Sequence, residues 1–301
     1  AVVLENAFMQ VWELAIDGNP YGEIDTRFLS RARAFSNIGV LRVRSQEAVD
    51  ANRVKLKVTN LSKRYLEPPV QALKDINFEV SDGDFLCIIG PSGCGKSTTL
   101  RLIAGFEEPT EGTVLLDGKR VREPGPDRAM VFQDLNQLFP WKTTLKNVLY
   151  PLKVNRLYSN SQNRMEVAKK HLRMVGLDEN FDAAFPHQLS GGMKQRVAIA
   201  RALALDPKVL LMDEPFGSID AQTRTALQGE LLKIWEETKK TILFVTHNIE
   251  EAILLGTRII VLGTDPGRVL QIFVNPLPPP RVATDPNFGE FWETLYDLLK
   301  Q

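Results

Sequence analysis

The run Gly90-Pro91-Ser92-Gly93-Cys94-Gly95-Lys96-Ser97 constrains this chain more than any other feature. It matches G-x-x-x-x-G-K-[ST] and stands between an apolar, strand-like stretch at 85–89 and a helical stretch at 96–104. Glycines in that position let the backbone wrap a polyphosphate with its N–H groups turned inward, and the helix start adds partial positive charge. Gly90, Pro91, Ser92, Gly93, Cys94, Gly95, Lys96, Ser97 and Thr98 are therefore expected to form a nucleotide-binding loop. Lys96 can reach the β- and γ-phosphates, and the Ser97 hydroxyl can ligate Mg²⁺. The Cys94 thiol is expected to pack rather than react.

The surroundings of the loop read as alternating strands and helices. Strands are expected at 54–58, 76–80, 85–89, 113–116, 129–132, 209–212, 241–245 and 258–262. Helices are expected at 96–104, 221–237, 248–255 and 286–300, and 144–204 reads as mainly helical with breaks near Ser159 and at Pro186. Such alternation indicates a parallel α/β sheet, with the helical block 134–205 inserted into it. The apolar run Val209-Leu210-Leu211-Met212 ends in Asp213 and Glu214. Parallel strands deliver their carboxyl ends to the ligand crevice. Asp213 is thus expected to hold Mg²⁺ through water, and Glu214 to orient and deprotonate an attacking water.

Composition removes several classes. Lys+Arg and Asp+Glu both number 37, so no bulk basic field gathers nucleic acid or an anionic membrane. Two cysteines, Cys87 and Cys94, exclude a disulfide scaffold and suit a reducing compartment. Three histidines leave little material for structural zinc. No stretch approaches the roughly 18–20 consecutive apolar residues of a membrane-spanning helix.

The deciding segment is Leu189-Ser190-Gly191-Gly192-Met193-Lys194-Gln195-Arg196. Ser190, Gly191 and Gly192 at a helix start offer a hydroxyl and free N–H groups, a second anion-binding surface in the same chain. One chain using both grips on one nucleotide would have to fold the helical block over its own loop. Two copies arranged head to tail let each complete the other's site.

With these motifs in order over roughly 53–274, the chain resembles the ATP-binding subunits of ABC transporters, whose signature is Leu-Ser-Gly-Gly. The resemblance implies a P-loop NTPase fold: a RecA-like parallel core, an antiparallel β subdomain and an inserted helical subdomain. It implies ATP and Mg²⁺ as cofactors and ATP hydrolysis as the activity. Tyr65 stands where the family stacks an aromatic ring on adenine. Gln133, in Val131-Phe132-Gln133-Asp134, matches the loop glutamine that touches Mg²⁺ and links the site to the membrane partner. Ser218-Ile219-Asp220 resembles the family's dimer-contact loop, although Ile219 departs from its usual alanine or leucine pattern. His247, in Val245-Thr246-His247-Asn248, resembles the switch histidine at the γ-phosphate. His187 reads as structural.

The stretches Leu138-Phe139-Pro140-Trp141, Phe185-Pro186-His187-Gln188 and Asp285–Trp292 are similar to importer ATPases for nitrate, sulfonate, taurine or bicarbonate. The partners this implies are transmembrane permease subunits, a second ATPase subunit and, indirectly, a substrate-binding protein, with the chain peripheral on the cytoplasmic face of the inner membrane. Leu138–Trp141 reads either as the socket for that partner or as a core cluster between lobes. A soluble cassette ATPase in DNA repair, translation or cluster assembly is the alternative, disfavoured by one cassette, no sustained heptads and zero net charge. A regulatory subunit without turnover is disfavoured by the presence of both Glu214 and His247.

Residues 1–51 stand outside the pattern. Leu4, Phe8, Val11, Trp12 and Ala15 recur at helical spacing before Gly18-Asn19-Pro20, and Arg27, Arg31, Arg33, Arg42 and Arg44 make the next stretch basic. The segment reads as a packed helical extension or a remnant of a neighbouring gene segment, or as an amphipathic docking element. Glu5, Glu13 and Asp17, without a basic lead-in, argue against a secretory signal. A start at Ala1 suits a processed or truncated product. The proline-rich 276–280 reads as a linker to the last helix.

Overall fold

The computed structural model describes residues 54–158 and 160–300; the expectations for 1–51 lie outside them. In chain order, β1 (Val54–Leu66), β2 (Pro69–Ser81), β3 (Phe85–Ile89) and α1 (Lys96–Ala104) come first. Then follow β4 (Glu111–Leu116), β5 (Lys119–Arg120), β6 (Arg128–Val131), α2 (Thr144–Val154), α3 (Ser161–Met174) and α4 (Gly191–Leu203). The remainder is β7 (Val209–Asp213), α5 (Ala221–Thr238), β8 (Thr241–Thr246), α6 (Ile249–Leu255), β9 (Arg258–Gly263), β10 (Arg268–Val274) and α7 (Pro286–Leu299).

Strands β9, β3, β8, β7 and β6 lie side by side in parallel, with β10 antiparallel on the β9 edge. Every residue of β3, β7 and β8 is buried, which is why these strands read as unbroken apolar runs. Their side chains alternate between two cores. Phe85, Cys87 and Ile89 join the larger core with the helices after β6, while Leu86 and Ile88 join a second core with α1 and the other sheet. Each fully buried Leu, Ile, Val or Phe contributes about 1.5–3 kcal/mol of transfer free energy, so burial anchors the strands that carry the site.

The second sheet, ordered β2-β1-β4-β5, is antiparallel. Between the adjacent parallel strands β6 and β7 the chain detours through α2, α3 and α4, the inserted helical block. Helices α4, α5, α6 and α7 begin at Ser190, Asp220, Asn248 and Asp285, and each of these side chains accepts a backbone N–H in the first turn.

Several elements differ from expectation. β1 and β2 run 13 residues each, well beyond 54–58 and 76–80. Register shifts along the pair, with left-handed Asn60 and Asp75, break the alternation that sequence periodicity depends on. Strand β10 was not anticipated, because it is an edge strand with no fully buried residue. Residues 175–190 hold only turns and short 3₁₀ segments, so the block is less helical than its apolar content suggested.

Candidate functional site

The phosphate loop leaves the carboxyl end of buried β3 and enters α1 through Gly95, whose φ of 90° only glycine adopts without strain. A Cβ on Gly95 would also lie 2.4 Å from Leu73 Cδ2. The loop borders a cleft of about 690 Å³ whose lining includes Tyr65, Gly93, Lys96, Ser97, Gln133 and Glu214. Lys96 is buried; its Nζ donates to the carbonyls of Gly90 at 2.8 Å and Pro91 at 3.1 Å. Its first-turn neighbour Ser97 donates from Oγ to Asp213 Oδ1 at 2.9 Å, joining α1 to the end of β7.

Burial pushes the Asp213 carboxyl above the usual carboxylate range, and the Ser97 hydroxyl opposes the shift. The next residue, Glu214, has left-handed backbone at φ 43°, a strained conformation held by its N–H bond to the Val245 carbonyl at 3.0 Å. That turn swings its carboxyl into the cleft. Oε2 lies 2.9 Å from His247 Nδ1 and 3.4 Å from Gln133 Nε2, and Oε1 lies 3.9 Å from Lys96 Nζ. Residues from three separate segments thus surround the Glu214 carboxyl group.

Tyr65 sits near the tip of the long hairpin, and its hydroxyl donates to Glu107 Oε2 at 2.7 Å. Burial, then the Glu107 carboxyl, hold the phenol above its ordinary range. Cys94 is buried in the smaller core, where burial raises its thiol, so it offers the loop its backbone alone. A depression of about 560 Å³ beside the loop is lined by Ser97, Phe132, Gln133, Asp134, Asp213 and Ser218, among others.

Ser190, Gly191, Gly192 and Asp220 line neither hollow. Ser190 is exposed, and its Oγ accepts the Met193 N–H at 3.3 Å. Gly192 is buried against Thr223, whose Cγ2 would lie 2.4 Å from an added Cβ. Asp220 is exposed at the start of α5, and the Thr223 N–H holds its carboxyl below the usual range. His187 stacks on Phe185 away from the cleft. Leu138–Trp141 divides: Leu138 is in the core, while Trp141 is 69% exposed.

Sequence reasoning missed Glu107, which meets Tyr65 from 42 residues away with no local signature. It also missed the Asp265–Gly267 turn, which borders the cleft. The Asp-Pro-Gly run there was a turn signal that could have been pursued.

The family model described as ABC transporter matches residues 73–217. An uncharacterized ABC transporter ATP-binding protein of Methanocaldococcus jannaschii is 53% identical over 253 residues, covering 83% of this chain and 93% of that protein. The chain belongs to the ABC transporter family.

Two further relatives of this cassette carry transport names. A nitrate import ATP-binding protein of Synechococcus elongatus is 46% identical, covering 77% of this chain and 85% of its own. An aliphatic sulfonates import ATP-binding protein of Bacillus cereus is 46% identical, covering 73% and 85%. Among solved structures, the dimeric ABC transporter cassette MJ0796 superposes with a TM-score of 0.66 at 38% identity, covering 75% of this chain and 99% of that one. Its post-hydrolysis form, bound to ADP and Pi, superposes equally well. The chain is an ABC-type ATPase with the P-loop NTPase fold.

Proposed function

We propose that this cassette is the ATP-hydrolysing subunit of an importer for a small oxyanion or sulfonate, of the nitrate, sulfonate, taurine or bicarbonate type. It works as a head-to-tail pair with a second ATPase subunit, identical or related. One observation carries the reading. The phosphate loop with Lys96 and Ser97, and Glu214, line one cleft; Asp213, bonded to Ser97, lines the adjoining depression, and His247 bonds Glu214, while the other glycine-bearing helix start, with Ser190 exposed, borders neither hollow and bonds none of these residues.

In each composite site Tyr65, the 90–98 loop, Gln133, Asp213, Glu214 and His247 come from one chain. Ser190, Gly191 and Gly192 come from the other, and Asp220 lies at the contact. Tyr65 stacks on adenine, while Lys96 and the loop N–H groups grip the phosphates. Ser97, Asp213 through water and Gln133 would hold Mg²⁺. Their oxygen donors suit a hard cation that keeps waters and phosphate oxygens. That fits the lack, among the described residues, of any group of three or more His, Cys, Asp or Glu able to cage a metal. The ion, when bound, neutralises charge on the transferring phosphoryl group. Glu214 takes the proton of the attacking water, and His247 holds that carboxyl and reads the γ-phosphate.

Among the described residues no helix is long and apolar enough to cross a membrane. On this reading the translocation path belongs to permease subunits. The exposed Trp141, backed by Phe139 and Tyr150, and the exposed Phe132 beside Gln133 give them an apolar contact. The cassette then sits on the cytoplasmic face of the inner membrane, served indirectly by a substrate-binding protein, with no role for nucleic acid. Residues 52–274 form the ATPase domain with its helical part at 134–205, 1–51 an extension, and 275–301 a linker and C-terminal helix.

The test is size-exclusion chromatography of the full chain carrying Glu214→Gln. It should run as a dimer with ATP and a monomer with ADP. A monomer under both conditions, beside a native chain that hydrolyses ATP at full rate as a monomer, would overturn the paired site.

A further inference from the structure

Outside the nucleotide cleft, one buried carboxyl group joins three segments of the site's scaffold. Glu251, on the first turn of α6, has a side chain only 7% exposed. Its Oε2 accepts from Thr246 Oγ1 at 2.6 Å, and its Oε1 accepts from Gln228 Nε2 on α5 at 3.1 Å. The Thr246 hydroxyl in turn accepts the Asn248 N–H at 3.0 Å, and Asn248 Oδ1 accepts the Glu251 N–H at 3.3 Å. His247 lies between Thr246 and Asn248, so these bonds hold its backbone while its side chain stays 61% exposed.

The same carboxyl reaches the other side of the site. Arg224 Nε lies 3.9 Å from Glu251 Oε1, and Arg224 Nη2 donates to the Ile219 carbonyl at 2.9 Å. Arg224 Nε is buried and has no hydrogen-bond partner. A movement of about 1 Å would bring it to hydrogen-bonding distance of Glu251. The Glu251 carboxyl is buried while the Arg224 side chain keeps 30% of its surface exposed, so the cost of burial falls on the carboxyl, and apolar side chains would join α5 to α6 without it. The arrangement makes sense where it transmits a displacement between loops.

We propose that Glu251 is a positioning residue that couples the loop ending in Asp220 to His247, through Arg224 on one side and Thr246 on the other. Displacement of the Ile219–Asp220 loop on pairing of two copies pulls Arg224 toward Glu251. That contact resets Thr246, and with it the backbone that aims His247 at Glu214. The inference rests on the function proposed above, in which Asp220 lies at the contact between copies and His247 serves the γ-phosphate.

The experiment uses the full chain with Glu251→Gln, Arg224→Met, their combination, and His247→Ala as reference. Steady-state ATP hydrolysis and binding of a fluorescent ATP analogue are measured for each. Glu251→Gln removes the carboxylate charge and sets one amide N–H₂ against either the Gln228 and Arg224 donors or the Thr246 hydroxyl; Arg224→Met removes the cation beside Glu251 and with it the link to the Ile219 loop. Each single variant should lose about 10- to 100-fold in kcat while nucleotide Kd stays within about twofold. The double variant should be no slower than the slower single, because both changes cut one path.

If His247→Ala is inactive but Arg224→Met turns over at the native rate, or the two losses multiply, the coupling role is wrong and the broader function stands. Should His247→Ala hydrolyse at the native rate, the functional reading fails and the coupling fails with it. If Glu251→Gln does not fold, Arg224→Met decides alone: a fall in kcat at constant Kd supports the coupling, and a fall in both overturns it.

Discussion

Lys96 Nζ lies 3.9 Å from Glu214 Oε1, while its hydrogen bonds go to the carbonyls of Gly90 and Pro91. The cation proposed to grip phosphate and the carboxyl proposed to handle water are therefore held close without being bonded to each other. Each keeps a donor or acceptor for the reaction. A γ-phosphate entering between them would require Lys96 to swing aside on its flexible methylenes, because Glu214 stands on a left-handed turn.

Lys96→Ala removes the positive end of this pair. Charge-assisted hydrogen bonds to a buried group are worth about 1.5–3 kcal/mol, so ATP affinity should fall about 10- to 150-fold. Isothermal titration with ATP measures it directly. An unchanged Kd would mean that the loop N–H groups alone hold the phosphates.

Glu214→Gln keeps the side chain's shape and its contacts with His247 and Gln133 but removes its capacity to accept a proton. ATP binding should persist while turnover falls about 10²–10⁴-fold. A phosphate-release assay under saturating ATP checks it. Native turnover in this variant would reject Glu214 as the base.

Ser190→Arg places a long cation at the exposed start of α4, borders neither hollow, and leaves the Lys96 loop untouched. Hydrolysis should be abolished while spectroscopic ATP binding by the monomer survives. Persistent hydrolysis would remove the second chain from the reaction.

The parallel core and the meeting of Lys96, Ser97, Asp213 and Glu214 were legible because both depend on local rules. Buried parallel strands are unbroken apolar runs, and their carboxyl ends converge. The 90–97 and 209–214 segments carry both signals in a few consecutive residues. Ser190 was readable as a helix start because its cue, Ser-Gly-Gly, is equally local. By contrast, the reach of β1 and β2 toward Tyr65 was not legible, since left-handed Asn60 and Asp75 break the period of two. Nor was the partner of Tyr65, because Glu107 is chosen by tertiary contact and leaves no periodic trace.

The turn after β9 supplies a last prediction, made on packing alone. Gly267 donates its N–H to the Ala72 carbonyl at 3.1 Å, and its own carbonyl accepts the Lys74 N–H at 2.9 Å. A Cβ there would stand 2.3 Å from the Cys94 carbonyl oxygen and 2.6 Å from that of Ala72. Both are backbone atoms, one in the phosphate loop itself, so no side-chain rotation relieves the clash. Gly267→Ala must therefore push the turn off the loop, break the two hydrogen bonds to β2, or displace the loop. Overpacking of this kind costs about 1–3 kcal/mol, to be seen as a lowered Tm. Because the turn borders the nucleotide cleft, ATP should also bind more weakly, with Lys96 and Ser97 chemically intact. A variant that melts and binds ATP like the native chain would show that the turn is free to move away from the loop.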